Sequence, residues 1–337
     1  MLILSKSNFK ISLNSHVWFP LLAIILRLIP ATADFSYLIL AVYSLLGRQQ
    51  IIEALLLSWV FTVLNSSLVP VVEYASFTRY IIILACFTSI FFRLNFRKIE
   101  KITLVTFGLG IFFIIHSIFF SKIPEVSILK GLNWIVVIMT LLLAWQNMDS
   151  LEHKDTEKQI TRILSIIVLF SMLVFLFLDT GFNVNTRYFQ GVLNHPQAFG
   201  MTAAALSAIF IGQLFDQNRS TLFLVIMIIL CISLTIISGS RTAGTALLLA
   251  VIISSLIFMT PIIKKIKSLS YISRDKSFFL LGFFILIILS FNNVYDVMSG
   301  FITKTNEVSV GSIINAYKIS RGVLYIPMID NILENPL

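Results

Sequence analysis

Charged side chains are scarce in this sequence, and their scarcity argues against an ordinary soluble domain. Asp, Glu, Lys and Arg together make up 12% of the 337 residues, whereas soluble domains average about 25%. Hydrophobic residues make up 58% of the chain, and the mean hydropathy is +0.94. The composition therefore predicts a membrane protein.

Cysteine and histidine are also scarce, and the common enzyme signatures are missing. The two cysteines, Cys86 and Cys231, both fall inside apolar runs, so neither a disulfide framework nor a cysteine metal cluster is expected. The sequence contains no P-loop, no H-E-x-x-H and no G-x-S-x-G motif. We therefore expect no metal, no cofactor and no nucleotide-driven mechanism.

Long apolar runs predict an all-α fold, a polytopic bundle of membrane helices. A helix needs about 20 apolar residues to cross a bilayer, and its backbone groups must bond within the segment. Arg27 and Pro30 interrupt the first run, so a broken helix or a re-entrant hairpin is the alternative for the first two. About eleven transmembrane helices are predicted, at residues 18–30, 35–46, 50–64, 77–92, 103–120, 128–146, 161–178, 198–215, 220–237, 242–260 and 277–291.

The basic residues predict which loops face the cytoplasm. The net charge is +9, but the excess lies in short loops between apolar runs, as orientation signals do, so no nucleic-acid partner is expected. With the N-terminus in the cytoplasm, the outer loops hold five basic residues: Arg79, Lys122, Lys130, Arg187 and Arg241. The cytoplasmic side receives sixteen: Lys6, Lys10, Arg48, Arg93, Arg97, Lys98, Lys101, Lys154, Lys158, Arg162, Arg219, Lys264, Lys265, Lys267, Arg274 and Lys276.

Two domains are predicted along the chain. Residues 1–291 form the transmembrane bundle, and residues 292–337 begin an outer-face loop with an amphipathic stretch. No closing span follows this segment, so we expect a longer parent protein with twelve or more helices.

Two polar islands interrupt the second half of the bundle, and both are predicted on the outer side. Residues 181–200 read GFNVNTRYFQGVLNHPQAFG, and residues 238–241 read SGSR between two long apolar runs. Ser240 is a candidate N-cap, and Arg241 beside the next helix N-terminus favours an anion, best a phosphate. The alternative is a lone arginine that snorkels to the interface.

Three further residues are candidates for the same site. Arg187 offers a second anion contact, and His195 an acid–base group that titrates near neutrality. The alternative for His195, which the residues alone favour, is a His-Pro turn in a surface loop. Arg321 is a third candidate anion contact; alternatively, it is a solvated charge on an amphipathic helix. Arg27 and Glu53, within or beside apolar runs, are predicted to snorkel or to pair with each other.

The two islands together resemble the O-antigen ligase and O-antigen polymerase family. In that family a G-x-x-x-H-P-N-x-x-G-like outer loop precedes an S-x-S-R element, as GVLNHPQAFG precedes SGSRTAG here. The final ENPL is similar to the start of the family's N-P-L-F-G-x-G segment, which follows an arginine that Arg321 matches. The resemblance covers roughly residues 185–337, and its supporting motif positions are Gly191, Asn194, Pro196, Gly200, Ser238 and Ser240.

The resemblance implies a metal-independent glycosyltransferase of the bacterial inner membrane. Family members take a glycan from an undecaprenyl-diphosphate carrier at the periplasmic face and pass it to lipid A core, to a growing polysaccharide or to protein. By this resemblance Arg241, and less directly Arg187 and Arg321, hold the diphosphate. Such a protein has the carrier-linked donor, the glycan or lipid A core acceptor and membrane lipid as partners.

Two departures from the family pattern bear on catalysis. Gln197 stands where the family usually has Asn, and the family's acid–base His lies beyond the N-P-L-F-G segment. His195 is therefore the candidate catalytic residue within this chain, although it does not match the family's position. We expect the chain as given to bind the donor without turning it over.

Two other classes of protein remain open. Many spans with intramembrane charge also describe a transporter or flippase, but transporters place broken helices at matching positions of two halves. Here the polar islands gather at one face of the second half, which favours an outer-face enzyme. The third interpretation is a non-catalytic fragment that assembles with other membrane proteins.

Overall fold

In the computed structural model, the regular elements of the described residues are helical. The structure describes residues 18–72, 75–95, 99–121, 123–177, 179–184, 187–214 and 221–259, together with Leu333. Within these ranges the β-structure is limited to two isolated bridges, Leu64 with Leu193 and Phe182 with Phe189. The predicted all-α fold is confirmed.

The described ranges contain ten α-helices. They are α1 (Trp18–Leu28), α2 (Phe35–Ser44), α3 (Arg48–Thr62), α4 (Ala75–Phe92), α5 (Lys101–Phe120), α6 (Pro124–Asn147), α7 (Ser150–Phe177), α8 (Pro196–Leu214), α9 (Thr221–Ile237) and α10 (Arg241–Met259). Short 3-10 turns lie at Pro30–Thr32 and Asp179–Gly181. The predicted span at 277–291 and nearly all of the segment 292–337 lie outside the described residues.

Three of these helices are long and apolar enough to cross a membrane. They are α5, α6 and α7, with 20, 24 and 28 residues. Helix α1 ends at Leu28 and the 3-10 turn begins at Pro30, so α1 and α2 are short apolar helices joined by a turn. The predicted count of eleven spans is therefore not confirmed.

Helix α7 begins well before its predicted span. The apolar run predicts 161–178, but the helix starts at Ser150 and includes a charged stretch. That stretch contains good helix formers and an ion pair of 3.2 Å between Lys158 Nζ and Asp155 Oδ1, one helical turn apart. Hydropathy detects only the apolar part of a helix, so the pattern missed the polar extension.

The chain forms two compact units. The first contains Met1–Ile167 and Val192–Asn194, and the second contains Val168–Gly191 and His195–Leu337. In the first unit α2, α3, α4 and α6 pack against one another. Its core includes the fully buried side chains of Tyr37, Tyr43, Ile51, Ile82 and Ile90.

Arg27 and Glu53 are both buried in the first unit, and of the two predicted alternatives, snorkelling or mutual pairing, the pairing is not observed. Arg27 is 5% exposed and donates hydrogen bonds to the carbonyl oxygens of Pro70 (2.6 Å) and Phe61 (3.3 Å). Glu53 is 2% exposed and accepts a hydrogen bond from the Tyr43 hydroxyl. Backbone carbonyls and a tyrosine therefore supply the polar partners, because Arg27 reaches the last turn of α3 whereas Glu53 lies in its first half.

In the second unit α8 packs against α9 and α10. The buried side chains at its centre come from α7, α8, α9 and the loop before α8; they are Val168, Phe189, Phe199, Leu206 and Cys231. Cys86 and Cys231 are both buried and free. The tight packing of α8 against the turn between α9 and α10 positions the candidate site.

Candidate functional site

A small hairpin forms the first part of the polar island that precedes α8. Phe182 and Phe189 pair across it, and the Asn183 N–H donates to the Tyr188 carbonyl oxygen at 2.9 Å. The Arg187 N–H donates to the Asn183 carbonyl oxygen at 2.8 Å, and Arg187 has φ of 55°. A non-glycine residue in this left-handed region costs about 1–2 kcal/mol, and such conformations gather at functional sites.

Aromatic rings anchor the hairpin in the second unit. Phe189 lies 5.3 Å from Phe175 of α7 and 5.0 Å from Phe199 of α8, in both cases edge to face. Its N–H donates to the Ile237 carbonyl oxygen at the end of α9, at 3.4 Å. Phe189 thus fixes the hairpin to α7 and α8 through its fully buried side chain and to α9 through its backbone.

Glycine is required at Gly191, where the chain leaves the hairpin. Gly191 has φ of 59°, and a Cβ atom there would collide with the Cβ and Oγ atoms of Ser171 in α7. Its N–H, like that of Gln190, donates to the Gly181 carbonyl oxygen, at 3.0 and 2.9 Å respectively. The glycine therefore permits both the backbone conformation and the close approach to α7.

The two polar islands meet at Gly200. Gly200 is buried in the second turn of α8, and a Cβ atom there would collide with Ser240 Cβ and lie 2.6 Å from Ser238 Oγ. Both serines are nearly fully buried. The first turns of α8 thus lie directly against the SGSR turn. Gly200 of the first motif contacts Ser238 and Ser240 of the second, about 40 residues further along the chain.

A second contact joins the hairpin to the same turn. Gly239 has φ of 60°, and a Cβ atom on it would lie 2.6 Å from the ring of Tyr188. Arg187 precedes Tyr188 directly, and Arg241 follows Gly239 by two residues. The contact therefore brings the backbone of both arginines to one end of the second unit.

The SGSR turn leads directly into the N-terminus of α10. Ser240 precedes the helix, and its carbonyl oxygen accepts the N–H of Gly244 at 3.0 Å, as an N-cap residue does. Ser238 Oγ donates to the Thr235 carbonyl oxygen at 2.7 Å and accepts the Ser240 N–H at 3.4 Å. Arg241 is the first residue of α10 and is half-buried. Its charge adds to the positive end of the helix dipole.

His195 caps α8. Its Nδ1 accepts the backbone N–H of Gln197 at 3.1 Å, and Pro196 occupies the first position of the helix. The Nδ1 lone pair is engaged by this hydrogen bond, so Nε2 is the ring nitrogen left to contact other groups. His195 therefore lies in a turn at the start of α8, whereas its role as an acid–base group remains a prediction.

The neighbouring residue Asn194 belongs to the first unit. Its N–H donates to the Val63 carbonyl oxygen at 2.7 Å, and the Asn65 N–H donates to the Val192 carbonyl oxygen at 2.8 Å. Within the first unit, the segment Val192–Asn194 thus pairs with the chain that follows α3. Arg321 lies outside the described residues, and its role stays a prediction.

The sequence pattern missed two residues that build the site. Tyr188 contacts Gly239, and Phe189 anchors the hairpin, yet both read as ordinary aromatic residues in an aromatic-rich chain. Their position between Arg187 and Gly191 was the available signal. Among the described residues, no group of three or more His, Cys, Asp or Glu side chains is arranged to hold a metal ion.

Comparisons with protein-family models, with curated proteins and with solved structures found no match to this chain.

We expect His195→Ala to lower stability and His195→Asn to preserve it, because asparagine is also a good N-cap residue. Loss of an N-cap costs about 0.5–2 kcal/mol. Thermal unfolding of the two purified variants measures this difference. Equal stability of His195→Ala and His195→Asn would contradict the capping role.

Proposed function

We propose that the protein is a polytopic glycosyltransferase of the bacterial inner membrane, with about eleven transmembrane helices. It passes a glycan from an undecaprenyl-diphosphate carrier to lipid A core or to a growing polysaccharide at the periplasmic face. The reaction needs no metal: arginine side chains and a helix N-terminus take the place of a cation.

One observation carries the proposal: the contact between the two polar islands. Gly200 lies against Ser238 and Ser240, and Tyr188 lies against Gly239. These residues belong to the two motifs on which the resemblance to O-antigen ligases and polymerases rests. The two motifs are separated in the sequence by α8 and α9. Contact between them in the structure is expected if both belong to one site.

The electrostatics of this end of the second unit suit a diphosphate. The N-termini of α8 and α10 both lie here, and each carries the partial positive charge of its helix dipole. Arg241 lies at the start of α10, and Arg187 is exposed in the hairpin. Arginine forms paired hydrogen bonds with phosphate oxygens, and fixed positive groups stabilise the charge that develops on a departing diphosphate.

The outer surface of the helices supports a membrane location. Along α5 most apolar side chains are exposed, among them Leu104 at 62%, Phe112 at 58% and Phe119 at 74%. Soluble monomers rarely expose continuous apolar patches larger than about 300–600 Å². The sixteen-to-five distribution of basic residues supports an orientation with both islands at the periplasmic face.

Deletion of the gene in its bacterial host tests the proposal. We expect carrier-linked glycan to accumulate at the periplasmic face, because its donor is still made and exported but is no longer consumed, while transferred glycan disappears. Extraction of the carrier lipid, combined with a glycan probe that cannot enter the cytoplasm, measures both. Accumulation at the cytoplasmic face instead would identify a flippase and contradict the proposal.

A further inference from the structure

An apolar cavity lies within the first unit. It has a volume of about 310 Å³ and is lined by α3, α4, α6 and α7. Along α3 the lining extends from Ile52 to Trp59, a rise of about 10 Å. The cavity is therefore long in the direction of the helices, and its walls are mainly aliphatic.

The polar groups of this cavity gather at one end. Arg79 near the start of α4 and Trp59 near the end of α3 line that end, whereas Ile52, two turns earlier in α3, lines the other end. Helices α3 and α4 run antiparallel, so the end of α3 lies beside the start of α4. The Cys86 thiol in the second half of α4 accordingly approaches the Ile51 carbonyl oxygen in the first turn of α3, at 3.9 Å. A cavity that is cationic at one end and apolar at the other has the polarity of an anionic amphiphile.

The guanidinium group of Arg79 is available to bind a ligand. It is half-buried, and none of the described residues accepts a hydrogen bond from it or forms an ion pair with it. The same holds for the indole N–H of Trp59. A second cation lies nearby, since Arg27 donates to the carbonyl oxygen of Phe61, two residues beyond Trp59. Asp34 lies close to Arg27 and offsets one positive charge.

We propose that this cavity binds one acyl chain of an anionic membrane phospholipid, with the lipid phosphate against Arg79. Arg79 is the charged residue in the cavity lining, and its single positive charge matches one phosphate diester. Burial of an acyl chain contributes about 0.8 kcal/mol per CH₂ group. The net negative charge of an anionic lipid favours it over a zwitterionic lipid, because the positive choline group of the latter is repelled by Arg79. The Trp59 indole N–H is placed to donate to an ester oxygen. The inference requires the membrane location proposed above but not glycan transfer.

Native mass spectrometry of the detergent-solubilised protein tests the binding. After titration with phosphatidylglycerol, we expect one retained lipid per chain, and about tenfold weaker retention of phosphatidylcholine. Arg79→Gln is expected to remove this preference, and Arg79→Lys to keep part of it. The matched control Arg162→Gln, at an exposed arginine of α7 outside the cavity, is expected to keep it fully. Equal retention of both lipids by the parent protein, or an unchanged preference in Arg79→Gln, would overturn the proposal.

Quenching of Trp59 tests the location. In a variant with Trp18, Trp134 and Trp145 replaced by Phe, phosphatidylglycerol with brominated chains is expected to quench Trp59 at about tenfold lower mole fraction than brominated phosphatidylcholine. Glycerol phosphate at millimolar concentration is expected to leave this difference intact, because it lacks the chain. If glycerol phosphate abolishes the difference, the site recognises a free phosphate and the acyl-chain proposal is wrong.

Discussion

Arg241→Ala is expected to abolish glycan transfer while the protein remains in the membrane. In the proposed mechanism Arg241 holds the diphosphate at the N-terminus of α10, where its charge is fixed before the reaction begins. Removing one such fixed donor typically lowers kcat by about 10²–10³-fold. The measurement is complementation of the deletion strain, with surface glycan scored against the level of protein in the membrane.

Two variants control this result. Arg241→Lys is expected to recover part of the activity, because an ammonium group keeps the charge but cannot form the paired hydrogen bonds of a guanidinium. Arg162→Ala, at an exposed arginine on the predicted cytoplasmic side, is expected to be fully active. Full activity of Arg241→Ala at a normal membrane level would exclude Arg241 from the site.

Gly200→Ala is expected to destabilise the second unit and to disturb the site. The added Cβ atom would collide with Ser240 and force α8 away from the SGSR turn. Overpacking of this kind costs about 1–3 kcal/mol. Thermal unfolding of the purified protein measures the loss, and the same preparation reports whether transfer falls with it.

The matched control lies in the same helix. A Cβ atom at Gly212 would meet no heavy atom within 4 Å, so Gly212→Ala is expected to be neutral or to stabilise by up to about 1 kcal/mol. Ser240→Gly removes the obstructing side chain, and glycine is tolerated at an N-cap, so it should restore part of the stability lost by Gly200→Ala. If Gly200→Ala and Gly212→Ala unfold alike, the close contact between α8 and the turn does not exist in the protein.

Helix type and approximate position follow from the sequence, because apolar periodicity and glycine or proline breaks are local. Helix α9 begins and ends within a residue of the predicted span 220–237. The start of α7 does not follow from hydropathy, since its first turns are polar and are held by helix propensity and a local ion pair. Long-range hydrogen-bond partners could not be predicted from the sequence either. Nothing in the local sequence indicates that Arg27 donates to the carbonyl oxygens of Phe61 and Pro70 rather than pairing with Glu53.

In the candidate site, too, some features could be predicted from the sequence and others could not. The sequence placed both polar islands on one predicted side of the bundle as candidates for one site, and in the structure Gly200 of the first island lies against Ser240 of the second. The two alternatives for His195 were an acid–base group and a His-Pro turn in a surface loop; its Nδ1 hydrogen bond shows that it caps α8, a role that neither alternative named. The contact of Tyr188 with Gly239 was not predictable, because it depends on the left-handed conformations of Arg187 and Gly239 and on the contacts of Phe189 with three helices.

Equilibrium binding of undecaprenyl diphosphate to the purified protein in lipid nanodiscs tests the central claim most directly. The account predicts saturable binding that is at least about tenfold tighter than that of undecaprenol, and a similar loss of affinity in Arg241→Ala, because charged hydrogen bonds contribute about 1.5–3 kcal/mol each. Arg79→Gln, which alters the separate lipid cavity, is expected to bind the diphosphate carrier as the parent does. Equal affinity for undecaprenol, or unchanged affinity in Arg241→Ala, would contradict a diphosphate site at the junction of the two polar islands.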